Sequence, residues 1–402
     1  MEKQSSFGIS SKIEEILTRR VEKVLPNKEE LRKLMKKRKI KLYQGFDATS
    51  GRLHLGHSVG IRKLMDFANA GNEVIFLFGT GTVLVGDPSQ RDTGRKLITP
   101  AEVERNIQGW KDQVSPIVDW NKVKILRNGD WLRELKLQDI INIASNISAV
   151  QLFKREMFTR RINSGDTVWY HETMYPLLQG YDSVVMEVDL EIGGTDQEFN
   201  MLIGRELMQK MKKREKFVLT TPMILGTDGR QMSKSTGNCV WLDDSPNDMF
   251  GKLLSIPDDQ IITYMDNVTD IPLERVNEVE KLLKDKQLNP LDAKKELAVA
   301  VVTQFHSEHN ANEALEYFEK TFQKGLPPDE TQEFIVTKNM KLVDVVAKIV
   351  GSKSEAKRLI LDNAVDLDGA TVNSPNIKTT GNEKIKIGKK IFARLVLRGM
   401  KF

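Results

Sequence analysis

The sequence predicts an α/β chain that opens on a parallel sheet and continues into a helical segment and a small α+β module. Three observations carry this. Between Lys41 and Gly79 a strand, a turn, a helix and a second strand follow one another, which is a βαβ unit and implies parallel strands. Past residue 245 the texture turns to helices with polar faces. From residue 331 onward, two short helices lead into short β-like runs.

Taken in order, residues 11–37 read as helical by apolar spacing, with Leu31, Leu34 and Met35 on one face. Lys41–Phe46 is a short apolar run of strand character that ends at Asp47. After the turn-rich Thr49–Arg52, positions Leu55, Val59, Leu64 and Phe67 fall at helical intervals, and Gly71 closes that helix. Glu73–Gly79 is the next buried strand. Residues 100–170 are largely helical by pattern and are expected to interrupt the sheet. Val184–Ile192 resumes strand character, and Phe217–Thr221 with Met223–Leu225 adds a further strand. Residues 246–323 are helical, and the consecutive prolines 327 and 328 make 325–330 a stiff hinge. Helices at Lys341–Ile349 and Lys353–Leu361 precede β-like runs at 365–367, 385–387 and 392–397. The expected division is 1–245, 246–330 and 331–402.

Composition bounds the class. A chain of 402 residues with 40% hydrophobic and 29% charged residues is long enough to bury a core without disulfide or metal staples. Cys239 is alone, so neither an intrachain disulfide nor a cysteine zinc site is available. Five histidines, at 54, 57, 171, 306 and 309, do not suggest a metal cage, and no metal ligand is assigned. The longest apolar runs are strand-length, so no membrane partner is expected. Met1–Ser10 lacks the layout of a signal peptide, and a cytoplasmic location is expected. Charge is uneven: residues 331–402 carry 14 Lys/Arg and 7 Asp/Glu, a net of +7 against +5 for the whole chain, so the first 330 residues sum to −2. A basic terminal module suits a polyanion partner, although charge alone is equally met by a solvated surface.

Two local patterns carry chemistry. His54-Leu-Gly-His57 opens the first βαβ helix, where free backbone N–H groups and the helix dipole favour an anion. Gly56 removes a side chain where a ligand could approach. Downstream, Gly226–Ser235 ends in Met232, Ser233, Lys234 and Ser235, a small-residue loop with one flexible cation. Such a loop can close over a polyphosphate and neutralise a leaving group. Each pattern alone also fits a surface turn.

Together the two patterns resemble the fingerprints of class I aminoacyl-tRNA synthetases. The resemblance extends to bacterial tyrosyl members through Tyr43–Asp47, Leu53–His57, Gly86–Ser89, Tyr175–Asp182 and Ile192–Gln197, in order and approximate spacing over nearly the whole chain. The tail, through 342–350, 352–360 and 364–369, resembles an S-four-type RNA-binding module.

The resemblance implies a Rossmann-like catalytic domain with a helical, dimer-forming insertion near 110–215. It further implies an α-helical domain that contacts tRNA and a homodimer. The implied reaction activates L-tyrosine with ATP and Mg²⁺ and passes it to tRNA(Tyr). His54, Gly56, His57, Gly194, Asp196, Met232, Ser233, Lys234 and Ser235 are then the ATP residues, with His54, His57 and Lys234 catalytic. Tyr43 and Asp182 match the positions that read the phenol. Asp87, Tyr175 and Gln179 match those that receive the ammonium, and Gln197 approaches the carboxylate. Lys353, Lys357, Arg358 and Lys386 are candidate RNA contacts. Mg²⁺ would enter with ATP, so no all-protein metal site is implied, and no enzyme nucleophile is expected, because such displacements rest on positioning and charge stabilisation.

Three positions depart from the family pattern: Gln231 stands where a lysine usually opens the loop, Ala48 where a proline is common, and Glu191 where glutamine is frequent. A tryptophan-specific sister enzyme, a small-molecule nucleotidylyltransferase and a non-catalytic RNA-binding descendant are the competing readings. The first fits the tail and Asp182 less well, and the second fits neither the helical segment nor the tail.

Overall fold

In the computed structural model, which describes residues 11–87, 98–233, 236–323, 332–388 and 391–397, the larger sheet sets where a ligand can bind. Its strands are β1 (Lys23–Leu25), β2 (Lys41–Phe46), β3 (Glu73–Phe78), β4 (Val123–Arg127), β5 (Leu190–Gly194) and β6 (Phe217–Thr221), in the order β1-β6-β5-β2-β3-β4. Only β1 runs antiparallel, paired to β6; β2, β3, β4, β5 and β6 are mutually parallel. All of β6, and all of β3 beyond Glu73, is buried, as expected of parallel strands covered on both faces. Their carboxyl ends share one edge, where open α/β sheets hold ligands.

Helix α1 (Leu55–Asn69) follows β2 and buries Leu55, Val59, Ile61, Leu64 and Phe67. Helices α2 (Tyr170–Met186) and α3 (Glu198–Leu207) flank β5 and pack on each other at two glycines. A Cβ on Gly180 would lie 3.0 Å from Gly204 Cα, and one on Gly204 would lie 3.2 Å from Gly180 Cα. The contact is backbone against backbone.

Among the described residues up to 231, four elements differ from the sequence reading, and the tail opens on an additional strand, Gln332–Val336, ahead of its two helices. Residues 11–37 are not one helix: helix 11–16 is followed by β1, and Asn27 caps a new helix at Lys28–Lys37 by accepting the Glu30 N–H. Pro26 offers no N–H to continue a helix. The segment 100–170 does not merely interrupt the sheet; it supplies β4 as an edge strand. Val184 belongs to α2, so β5 begins only at Leu190, with Glu187 in the left-handed region (φ 49°) ending the helix. A short apolar run such as 184–186 reads the same as a buried helix face or a strand. Strand β6 stops at Thr221 before Pro222, and Leu225 instead forms an isolated bridge with Gln231.

The chain divides into two units, Met1–Ala311 and Asn312–Phe402. Helices from Pro246 to Phe305 therefore belong with the sheet. Arg19 and Arg20 tie the N-terminal segment to them by donating to the carbonyls of Asp266, Asn267, Thr269 and Ile271. The second unit contains β7 (Gln332–Val336), α4 (Leu342–Val350), α5 (Lys353–Leu361), β8 (Val365–Leu367), β9 (Ala370–Thr371), β10 (Lys384–Ile387) and β11 (Ile391–Leu397), in the order β7-β11-β10-β8-β9. Its core is built by Val336, Leu342, Val346, Ile360, Ile385 and Leu395. Gly351 (φ 79°) ends α4 and Ser352 caps α5.

Candidate active site

Helix α2 presents Tyr175, Gln179, Asp182 and Ser183 at intervals of four, three and one, which puts them on one face. That face meets β2 and β5. Tyr43, fully buried on β2, shares a 2.9 Å hydrogen bond with Ser183 Oγ and reaches the Gln179 carbonyl at 3.5 Å. Burial, with the negative charges of Glu191 and Asp182, holds the Tyr43 hydroxyl well above its ordinary pKa. Asp182 accepts from Trp131 Nε1 at 2.8 Å and from Asn128 Nδ2 at 3.0 Å. Burial pushes its carboxyl well up, and those two donors pull it back.

A continuous network leads from this point to Asp47 and Tyr175 at the other end of the same face of α2. Asn128 Nδ2 also donates to Thr82 Oγ1 (3.0 Å), and Thr82 donates to Asp47 Oδ1 (2.7 Å). Tyr175 donates its hydroxyl proton to Asp47 Oδ2 (3.0 Å). Beside it, Gln197 Nε2 donates to Asp87 Oδ2 (2.9 Å) and Asp196 Oδ2 (3.1 Å), while Asn200 donates to Gln197 Oε1 (2.9 Å). Burial and the neighbouring Asp87 push the Asp196 carboxyl up. Arg155 is buried here, 3.9 Å from Asp87 Oδ1 and stacked over Phe199 and Phe158. Its Nη1 is buried without a hydrogen-bond partner. A Cβ on Gly194 would stand 2.5 Å from Asp196 Oδ1, so that carboxylate uses the space the glycine leaves.

The helix-opening fingerprint lies beside the segment that follows the loop. Leu55 N–H donates to Val240 O (2.9 Å) and Leu242 N–H to Leu53 O (2.8 Å). His54 caps α1, its backbone N–H donates to His57 Nδ1 at 3.1 Å, and the two rings are 3.9 Å apart. Gly56 has a nearer reason to lack a side chain than ligand approach: a Cβ would meet His54 Nδ1 at 2.9 Å. The loop is anchored by Asn238, which accepts from Ser233 N–H (2.9 Å) and donates to Asp228 Oδ1 (2.8 Å). Asn238 and the Arg230 N–H hold the Asp228 carboxyl down, at about 2. Met232 is buried; Lys234 and Ser235 lie outside the described residues. Cys239 is buried as well.

The structure thus gathers Tyr43, Asp182, Gln179 and Tyr175 along one face, and Asp87, Asp196 and Gln197 in one cluster. The RNA candidates belong to the second unit. Lys353 pairs with Asp344 (2.7 Å), Arg358 with Glu355 (2.5 Å), and Lys386 lies 4.0 Å from Asp366, whereas Lys357 is exposed. Surface pairs of this kind add little stability and open easily to another anion. Sequence reasoning assigned no role to Asp47, Thr82, Asn128, Trp131, Arg155, Ser183 or Lys216. Asn128 and Trp131 lie just past a parallel strand, a signal that the helical pattern of 100–170 conceals.

The family described as tRNA synthetases class I (W and Y) matches residues 35–323. A tyrosine–tRNA ligase of Thermotoga maritima is 38% identical over 385 residues, covering 94% of this chain and 96% of its own. Another, from Oleidesulfovibrio alaskensis, is 40% identical over 381 residues, with 92% and 96% covered. Among solved structures, a C-terminally truncated mitochondrial tyrosyl-tRNA synthetase of Aspergillus nidulans shares the fold, with a TM-score of 0.65 at 19% identity over 80% of this chain and 100% of that one. The chain therefore belongs to the tyrosine–tRNA ligase family of the class I tRNA synthetases.

Proposed function

We propose that the residues of the site divide the tyrosine–tRNA ligase reaction between the two ends of α2 and the two fingerprints. The tyrosine carboxylate attacks the α-phosphate of ATP in line and pyrophosphate leaves. The tyrosyl group of the adenylate is then transferred to the 3′ end of tRNA(Tyr). Tyr43 and Asp182 read the phenol; Asp87, Tyr175 and Gln179 take the ammonium, with Gln197 nearer the carboxylate. Gly194 and Asp196 receive the ribose. His54, Gly56 and His57 hold the phosphates, and Met232, Ser233, Lys234 and Ser235 close on them, Lys234 neutralising the departing pyrophosphate. Mg²⁺ comes with ATP, and the carboxylate oxygens at the mouth are donors of the kind such a hard ion tolerates.

The observation that carries this reading is the single face of α2, with Asp182 buried at one end and Tyr175 on Asp47 at the other. A slot whose depth is lined by hydrogen-bonding groups rejects phenylalanine because those groups would be left unpaired; the roughly 10⁵-fold magnitude is the general one known for this enzyme family. ATP–pyrophosphate exchange across the amino acids tests it. Exchange is expected with tyrosine and only weakly with phenylalanine. Exchange driven best by tryptophan, or none with any amino acid, sinks the assignment.

We assign 1–245 to activation, 246–330 to tRNA contact and the hinge, and 331–402 to RNA anchoring through Lys353, Lys357, Arg358 and Lys386. We also assign a homodimer and a cytoplasmic location; the dimer is supported by exposed apolar side chains gathered in the segment near 110–215. They include Leu137 (73% exposed), Val150 (64%), Trp169 (61%) and Tyr170 (79%), side chains of the kind that a subunit contact covers.

A further inference from the structure

Behind the slot lies a buried ion pair that the reaction above does not use. Lys216, just before β6, is fully buried, and its ammonium meets Glu191 Oε2, Ser183 Oγ (2.9 Å) and the Met201 carbonyl (3.1 Å). All three of its protons are thereby engaged. Glu191 Oε1 accepts from Gln179 Nε2 (3.1 Å). The backbone is shaped for the ammonium: a Cβ on Gly204 would stand 2.6 Å from Lys216 Nζ. A buried pair of this kind adds little net stability over apolar side chains of the same volume. What it does supply is a fixed direction of hydrogen bonding.

Lysine only donates, so Ser183 Oγ must accept from it and has one proton of its own to give. Glu191 Oε2 already meets the ammonium and is 3.4 Å from Ser183 Oγ, whereas Tyr43 Oη is at 2.9 Å. The Ser183 proton therefore goes to Tyr43. The proton of Tyr43 is left with the Gln179 carbonyl at 3.5 Å, the limit of hydrogen-bonding reach, and with the neighbouring Glu191 carboxylate, whose lone pairs already serve Lys216 and Gln179; a phenol in the slot offers it a fresh acceptor. At the far side Asp182 is an acceptor held by Trp131 and Asn128. A phenol between them would accept from Tyr43 and donate to Asp182, completing one run of donors from an ammonium to a carboxylate, each bond polarising the next.

We infer that Lys216 is a positioning residue for phenol recognition, which through Ser183 turns the hydroxyl of Tyr43 into a donor facing the slot. This rests on the reading that Tyr43 and Asp182 bind the phenol. Burial pulls the Lys216 ammonium down, and the charges of Glu191 and Asp182 hold it up.

The test is tyrosine- and phenylalanine-dependent pyrophosphate exchange by the full-length enzyme and its Ser183→Ala, Lys216→Met and Tyr43→Phe variants. Phenylalanine shares the ammonium and carboxylate contacts but has no phenol, so its kcat/KM reports structural damage alone. Losing one oriented hydrogen bond should lower the tyrosine-to-phenylalanine ratio of kcat/KM by about tenfold in Ser183→Ala and Lys216→Met. The change should come through KM for tyrosine, with KM for ATP and kcat/KM for phenylalanine within about twofold of wild type. Should Lys216→Met fail to fold, Ser183→Ala, which leaves the ion pair in place, decides alone. A ratio that stays at the wild-type value, or tyrosine and phenylalanine falling together, overturns the relay while Tyr43→Phe still loses selectivity. A silent Tyr43→Phe instead removes the phenol site itself, and the relay with it.

Discussion

Trp131 Nε1 donates a 2.8 Å hydrogen bond to Asp182 Oδ1, joining the segment after β4 to the C-terminal part of α2. With Asn128 on the other oxygen, the carboxyl is held in one plane. These donors favour the charged form that burial disfavours. Trp131→Phe removes one donor, so the carboxyl should move further up. The ionised form accepts the hydrogen bond of the phenol, so the acid limb of kcat/KM for tyrosine should shift to higher pH in the variant. A limb that stays in place would show that Trp131 does not tune Asp182.

Stability should carry the mark of a second buried lysine. Lys63 on α1 donates to the Ile16 carbonyl (2.6 Å) and pairs with Asp66 (2.9 Å), and burial lowers its pKa to about 8. Between that value and the ordinary 10.5 the unfolded chain binds the proton that the native state has released. This group's contribution to stability therefore rises with pH across the window. Denaturant titrations should show a gain from pH 8 to 10 larger by roughly 2 kcal/mol in wild type than in Lys63→Met. Equal gains in the two proteins would show that Lys63 stays charged in the native state.

Removing residues 331–402 should leave tyrosine-dependent pyrophosphate exchange nearly intact, because every residue assigned to tyrosine and ATP lies before 245. Transfer to tRNA should fall steeply, and the salt dependence of tRNA binding should flatten as phosphate contacts are lost. Wild-type aminoacylation by the truncated enzyme at subsaturating tRNA would rule out the tail as an anchor.

If the exposed stretch near 137–170 joins two copies, a charge placed on it should separate them. Val150→Glu combined with Trp169→Glu should bring the sedimenting mass from twice 45.7 kDa down to a single chain. A wild-type enzyme that sediments as a monomer, or a variant that remains dimeric, places the contact elsewhere or removes it.

Much of the first βαβ unit was legible because its signals are local. Helix α1 shows its buried face at regular spacing, and Gly71 follows its end with φ 79°. The same holds for the tail, where Gly351 and Ser352 punctuate two helices. The edge strands β1 and β4 were not legible: the first is three residues long, and the second leaves Lys124 and Ile125 exposed. The hydrogen-bonded rear of the slot was hidden for another reason. Asn128 meets Asp182 across 54 residues of chain, and Lys216 meets Glu191 across 25. No periodicity records such a meeting. Glu191 could be seen to depart from a pattern, but its partner is visible only once β5 and the segment before β6 are adjacent.

The glycine-to-glycine contact of α2 with α3 bears on how this enzyme could be given a new amino acid. Because Gly180 and Gly204 let the two backbones touch, the spacing of these helices is not set by replaceable side chains. Repainting the slot through Tyr43 or Asp182 would change which groups greet a substrate while leaving its width as it is. A ligand broader than tyrosine would have to gain its room from β2 or from the segment carrying Asn128 and Trp131, since α2 already rests on bare backbone.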